Sequence, residues 1–307
     1  MFEKFLVEVL KLAPRQLWGV EQQGFYLKEI FTSFDIKRII AGIVAFFELF
    51  GLTILDLPTT PRGEALDLTG YSIVFEDEFE GDALNTDVWK IRSNGPRRGG
   101  FNSDSQIKVD DGNLVITGEY LEDGTYGEGW YAGMVSLRER YCKGYFEIRC
   151  KVNKGSGFWS AYWIQAEHPY EAEYSKGGVG GCEIDIFESM SYDNLLGKDS
   201  VSQTVHCAGV DGVQEGFQSA RLGFFKGNNI CEEYNTYGLE WTEDEYIFYI
   251  NGVETARTSF GNGVSQVEET LLMSLVVPSE DKLEKMDKET YNTEFIIDYV
   301  KVYQKEG

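Results

Sequence analysis

Histidine is nearly absent from this chain of 307 residues: only His168 and His206 occur. A metal centre built from many imidazoles is therefore excluded. Cationic side chains are scarce too, 28 Lys and Arg against 51 Asp and Glu, a formal net charge of −23. That field repels polyanions, so nucleic acid is excluded as a partner. An anionic polysaccharide is disfavoured for the same reason, unless a local basic patch overrides the field, whereas a neutral polymer is unaffected. Cysteine is sparse and odd in number: Cys142, Cys150, Cys182, Cys207 and Cys231 cannot all pair internally. No spacing among them resembles a zinc site. They read as free, buried thiols acting as small hydrophobes, which suits a reducing or anaerobic setting. Met1–Val20 lacks the long apolar run and small-residue cleavage site of a secretory signal. Internal repeats and low-complexity tracts are missing as well.

What is present is apolar and aromatic. Hydrophobic residues make up 42% and aromatics 14%, with 18 Tyr, 20 Phe and 6 Trp. A full core can be built, and disorder is not expected. Strands present alternate residues to opposite faces, so the rings can serve both as core and as flat platforms for sugars.

Residues 1–68 differ from the rest. Met1–Leu12 and Gly24–Phe34 have helix-like apolar spacing, and Ile36, Ile39, Ile40, Ile43, Val44, Phe47 and Phe50 follow near i, i+3, i+4. Asp35 suits the cap of that helix, and Pro58 lies beyond its end. Two readings stand for Ile39–Leu57. Lys37 and Arg38 before a span of nearly membrane length suggest an anchor. Glu48 in its middle favours a helix packed on protein or at an interface.

From Tyr71 onward short runs alternate apolar and polar residues between Gly, Asn and Asp. Examples are Asn113–Thr117, Gly144–Val152, Tyr246–Ile250 and Phe295–Tyr303, and Asn251-Gly252 is a tight hairpin signal. Many short strands at this spacing predict an all-β antiparallel sandwich over 69–307.

The informative segment is Gly180–Ser189, GGCEIDIFES. In a plain strand Glu183 and Asp185 share a face, and Glu188, at i+5, does not. One inserted residue, a β-bulge between Asp185 and Glu188, would bring all three together, and bulges recur beside active sites. The two Glu Cα atoms would then lie roughly 13 Å apart at ~3.3 Å per step. Side chains leaning together would set the carboxyls at about 5–5.5 Å, the separation of a retaining glycosidase. Acids so close repel, which raises at least one pKa. One ionised carboxylate for attack and one protonated for the leaving oxygen is the division such a mechanism needs. Two other readings of the same acids are a solvated acidic strand and a calcium site.

At these residues the sequence resembles glycoside hydrolase family 16, from about Tyr71 to Gln304. Glu183-Ile184-Asp185-Ile186-Phe187-Glu188 resembles the family's bulged glutamate-x-aspartate-x-x-glutamate signature. Phe75–Phe79, Asp111–Thr117, Gly133–Val152, Gly157–Ile164, Tyr237–Trp241 and Ile297–Gln304 resemble its other segments, in its order. The resemblance implies a bent jelly roll with a concave substrate cleft. It implies Glu183 as nucleophile, Glu188 as general acid/base and Asp185 as assisting carboxylate. It puts Trp159 and Trp163 near the cut bond and His206 beside the leaving group. Asn102 and Gln106 resemble donor-side polar residues, and Trp130 precedes a segment bordering the cleft. It implies no cofactor for catalysis, and a structural calcium near Glu78, Gly112 and Asp298, mostly through backbone oxygens. Ser160, where proline is common, and Asn235, where histidine is usual, depart from the pattern.

The bulged signature resembles the laminarinase, agarase and carrageenase branches. With the net charge, it implies an endo-acting enzyme on neutral β-1,3- or mixed β-1,3-1,4-glucan. β-Galactan or agarose, transglycosylation, and a non-catalytic glucan-binding protein on the same fold are the alternatives. The chain is expected to be a monomer. A polymeric substrate suggests an extracellular or cell-surface enzyme, N-terminally anchored through 39–57, whereas the thiols and the missing signal suggest the cytoplasm.

Overall fold

The computed structural model describes residues 58–155, 157–189 and 199–306. The helices expected within 1–57, and the segment 39–57 read as an anchor or packed helix, lie outside them. Chain contacts separate Met1–Asp56 from Leu57–Gly307, and all that follows concerns the second unit. No helix among the described residues is long and apolar enough to cross a membrane.

The alternating segments form a jelly roll of two sheets. The larger runs from Val253–Thr258 through Tyr246–Ile250, Asn235–Trp241, Gly144–Lys151, Asn292–Lys305, Asn113–Leu121, Gly129–Ala132 and Gly100–Asn102 to Gly95–Arg97. Tyr71–Asp77 also pairs with Asn292–Lys305, and Ile107–Asp110 with Asn113–Leu121. The smaller sheet has seven strands. Its order is Phe217–Lys226, Ser200–Ala208, Glu183–Glu188, Trp159–Gln165, Glu269–Val276, Met134–Tyr141 and Trp89–Ile91. Pairing is antiparallel except between Gly100–Asn102 and Gly129–Ala132.

The core lies where the sheets face each other. Ile184, Ile186 and Phe187 are fully buried there with Phe146, Ile148, Tyr237, Leu239 and Phe295. Phe187 anchors the acidic strand, with ring centroids 4.3 Å from Tyr237 and 6.0 Å from Phe295, the latter edge-on. Burying one such ring stabilises by about 2–3 kcal/mol.

The predicted hairpin forms at Asn251-Gly252. Both residues have positive φ, 52° and 72°, and Ile250 pairs with Val253, as a primed turn requires. Tyr246–Ile250 departs from simple alternation, because both of its faces are buried. Ile247 and Tyr249 pack outward against Tyr145, Leu66, Leu68, Tyr71 and Tyr303. The strip carrying those leucines passes from the edge of the smaller sheet to that of the larger: Thr59 bridges to Phe225 and Ala65 to Val253.

None of the five cysteines is in a disulfide among the described residues, as expected. Cys150, Cys182 and Cys207 are buried, while Cys142 and Cys231 are only half-buried.

Candidate active site

The acidic strand is flanked on both sides, and both registers slip at the same place. Against Ser200–Ala208, Asp185 pairs with Thr204 and Glu188 with Ser202. Against Trp159–Gln165, Asp185 pairs with Trp163, Phe187 with Tyr162 and Glu188 with Ala161. Three residues thus span two partner steps, which is the expected bulge with Ile186 as its extra residue. Its consequence is chemical: Glu183, Asp185 and Glu188 all line one open cleft, while Ile184, Ile186 and Phe187 fill the core.

Each acid has its own partners. Gln165 Nε2 donates to Glu183 Oε2, and Tyr170 lines the cleft beside Glu183. Burial, then the charge of Glu183, pushes the Tyr170 pKa up. Asp185 is 5% exposed, and His206 Nε2 lies 3.1 Å from its Oδ2. His206 Nδ1 is 2.6 Å from Ser219 Oγ, which fixes the ring. Trp159 Nε1 donates to Glu188 Oε1 at 3.0 Å.

Burial and crowding set the protons. Burial, then the charge of Glu183, raises the Asp185 pKa well above the usual carboxylate range. Burial, then Asp185, pushes Glu188 up to about 8, against the opposing Trp159 hydrogen bond. At neutral pH Glu188 holds a proton at the cleft surface, as a general acid must. Glu183, Asp185 and His206 offer ligand atoms within 4.8 Å of one another, close enough to meet one cation. Yet donors from Gln165 and His206 already address these carboxylates. That arrangement suits an anionic nucleophile better than a bare cation.

Trp159 and Trp163 border the same cleft, and Trp163 Nε1 donates to Ser274 Oγ at 3.2 Å. Asn102, Gln106 and Trp130 are not among its lining residues. They are 2%, 3% and 4% exposed, so their described surroundings are interior. Trp130 packs edge-on against Tyr120, Phe158 and Tyr291. Gln106, with its amide turned, reaches Glu119 and the Thr117 carbonyl.

Both departures from the family pattern have structural reasons. The Ser160 N–H donates to Asn153 Oδ1 and to Ser189 Oγ, at 2.8 Å each, which proline could not do. Asn235 ties Asn228, Glu233 and Asn251 together on the larger sheet, outside the cleft lining. At the expected calcium position the side chains are already engaged. Asp298 Oδ2 meets Arg149 at 2.5 Å, and Glu78 meets Lys301 at 3.2 Å. Those two carboxylates are thus engaged by cations, and a calcium there would draw on main-chain oxygens.

Several cleft residues went unread in the sequence. Gln165 had a signal, since it follows Trp163 by two and so shares its face. Tyr170, Arg92 and Arg98 come from connections and Arg97 from the end of a three-residue edge strand, and these had none. In this acidic protein the arginines gather at one end of the cleft. Arg98 lies over the Trp159 ring at 4.9 Å, and Arg97 Nε is buried with no hydrogen-bond partner. Burial, then Arg97 and Arg140, lowers the Arg92 pKa. Ser93 and Arg98 hold left-handed φ values of 59° and 51°. Non-glycine residues so held cluster at ligand sites. Beyond them Lys90, Arg92, Arg138 and Arg140 border an adjoining hollow.

A jelly roll with a carboxylate trio on a bulged cleft strand defines a glycoside hydrolase. The sequence model for β-porphyranase A–D GH16 domains matches residues 73–305. The chain belongs to glycoside hydrolase family 16. It is 26% identical over 219 residues to glucan endo-1,3-β-glucosidase A1 of Niallia circulans, covering 64% of this chain and 30% of that protein. It is 24% identical to endo-1,3-1,4-β-glycanase ExsH of Rhizobium meliloti (strain 1021), covering 78% and 53%. The chain thus spans about half or less of these curated relatives. In fold it is similar to SCLam, a non-specific endo-β-1,3(4)-glucanase of family GH16, with a TM-score of 0.63 at 23% identity, covering 81% of this chain and 97% of that one.

Proposed function

We propose that this protein is a retaining endo-glycosidase of β-1,3- or mixed β-1,3-1,4-glucan, with Glu183 as nucleophile and Glu188 as general acid/base. The observation that carries the reading is the bulge, which turns Glu188 to the face of Glu183. Glu183 Oε attacks the anomeric carbon as the glycosidic C–O bond breaks. Glu188 gives its proton to the departing oxygen. Water then attacks the glycosyl ester, its proton passes to Glu188, and Glu183 leaves as carboxylate. Asp185, buried between them and bonded to His206, keeps negative charge from accumulating beside the nucleophile. No metal takes part.

The relatives' names support the glucan. The test is release of reducing ends and mixed oligosaccharides from laminarin and lichenan. Rapid release, abolished by Glu183→Gln or Glu188→Gln, is expected. Binding without cleavage would instead make this a glucan-binding protein.

A second reading has its own observation. The arginine end of the cleft favours a polymer carrying anionic groups, against the expectation from net charge. The matching family description names β-porphyranases, so porphyran belongs in the same assay. Higher kcat/KM on an anionic polymer than on laminarin, falling with salt and with Arg98→Gln, would favour it. A polymer substrate also supports action outside the cell. Detergent partitioning of the full chain tests the anchor.

A further inference from the structure

We infer that Tyr170 and Phe217 form a sugar-stacking subsite on the His206 side of the acids, for an uncharged hexose unit of the polysaccharide. This rests on the polysaccharide-hydrolase reading above. Phe217 opens the edge strand of the smaller sheet and is 53% exposed, and Tyr170 is 42% exposed. The fold builds the pair. Phe217 pairs with Ala208, whose N–H donates to the Pro169 carbonyl at 2.9 Å, and this draws Tyr170 over the strand end. The ring centroids are 5.1 Å apart at 46°.

The pair is continuous with the reacting groups. His206 stands edge-on to Phe217 at 5.5 Å while its Nε2 contacts Asp185. Tyr170 lines the cleft beside Glu183. Exposed rings rimmed by polar groups mark ligand grooves. A pyranose supplies the complement, C–H groups for the ring faces and a hydroxyl for the Tyr170 oxygen. Arg92, just past Trp89–Ile91, lies at the opposite end of the smaller sheet's order from Phe217–Lys226, so the ring pair stands away from the arginine end of the cleft.

The test is binding, so it does not depend on turnover. The full chain with Glu183→Gln, and the same chain with added Phe217→Ala or Phe217→Tyr, are titrated calorimetrically with β-1,3-linked gluco-oligosaccharides of increasing length. Phe217→Ala is expected to weaken Kd by ~tenfold for the longer chains and little for the shortest, with Phe217→Tyr restoring it. The half-exposed ring leaves the Tm nearly unchanged. Equal Kd values at every length, or no binding of any length, overturn the subsite. Failure of the wild-type chain to cleave would overturn only the hydrolase reading.

Discussion

The two outer faces of the sandwich treat carboxylates in opposite ways. On the larger sheet the acids are matched to tyrosine hydroxyls or to cations. Tyr145 and Tyr299 both donate to Glu147 at 2.8 Å. Tyr71 and Tyr249 donate to Glu240 at 2.8 and 3.1 Å. Asp298 has Arg149, and Glu76 and Glu78 share Lys301. On the cleft face no lysine or arginine forms an ion pair with Glu183, Asp185 or Glu188 among the described residues. Their charge is relieved by protons instead, since burial and mutual repulsion raise Asp185 and Glu188. Acids on strands among aromatics are thus structural when each is matched and chemical when they are crowded.

The largest expected effect breaks this comparison by chemistry. Glu183→Gln and Glu188→Gln should lower kcat by ~10³-fold or more, while Glu147→Gln and Glu240→Gln change it by less than about twofold. Comparable losses on both faces would erase the distinction. Asp185→Asn should cost about 10–100-fold in kcat with little change in KM, since it keeps shape but puts an amide in place of the carboxyl that meets His206.

The pH dependence sharpens the comparison. Glu188 must be protonated to act, so kcat should fall as pH rises through about 8. Its folded pKa lies above the ordinary value of 4.5, so the folded state binds the proton more tightly. Stability is therefore lost as pH rises from about 4.5 to about 8. Glu188→Gln should raise Tm increasingly across that window and leave it unchanged near pH 4. Glu147→Gln should act oppositely, costing about 1 kcal/mol of stability by urea titration through weakened tyrosine bonds. Smallest of all, chelator should leave the rate unchanged and move Tm by less than about 2 °C. A rate loss on chelation would contradict metal-free chemistry.

The strands and hairpin were legible because period-2 alternation and Asn-Gly carry local information. The acid trio was legible through its likeness to the family's bulged signature, since spacing alone also suited a solvated acidic strand or a calcium site. Asn102, Gln106 and Trp130 were placed by likeness alone, and the structure puts them inside rather than on the cleft. The arginines and the Tyr170–Phe217 pair were hidden for a different reason. They meet through strand order and loop path, which no local pattern encodes. The arginine end of the cleft was hidden in the same way, because a sum of −23 says nothing about where 28 cations gather.

The most direct test of the central claim is to trap the glycosyl-enzyme. The protein is incubated with a 2-deoxy-2-fluoro β-glucosyl or laminaribiosyl fluoride, and its peptides are then weighed. The account predicts one added glycosyl group on the peptide containing Glu183, bonded to that residue, and no adduct in Glu183→Gln. Attachment at Glu188, or cleavage of glucan with inversion at the anomeric carbon, would contradict it.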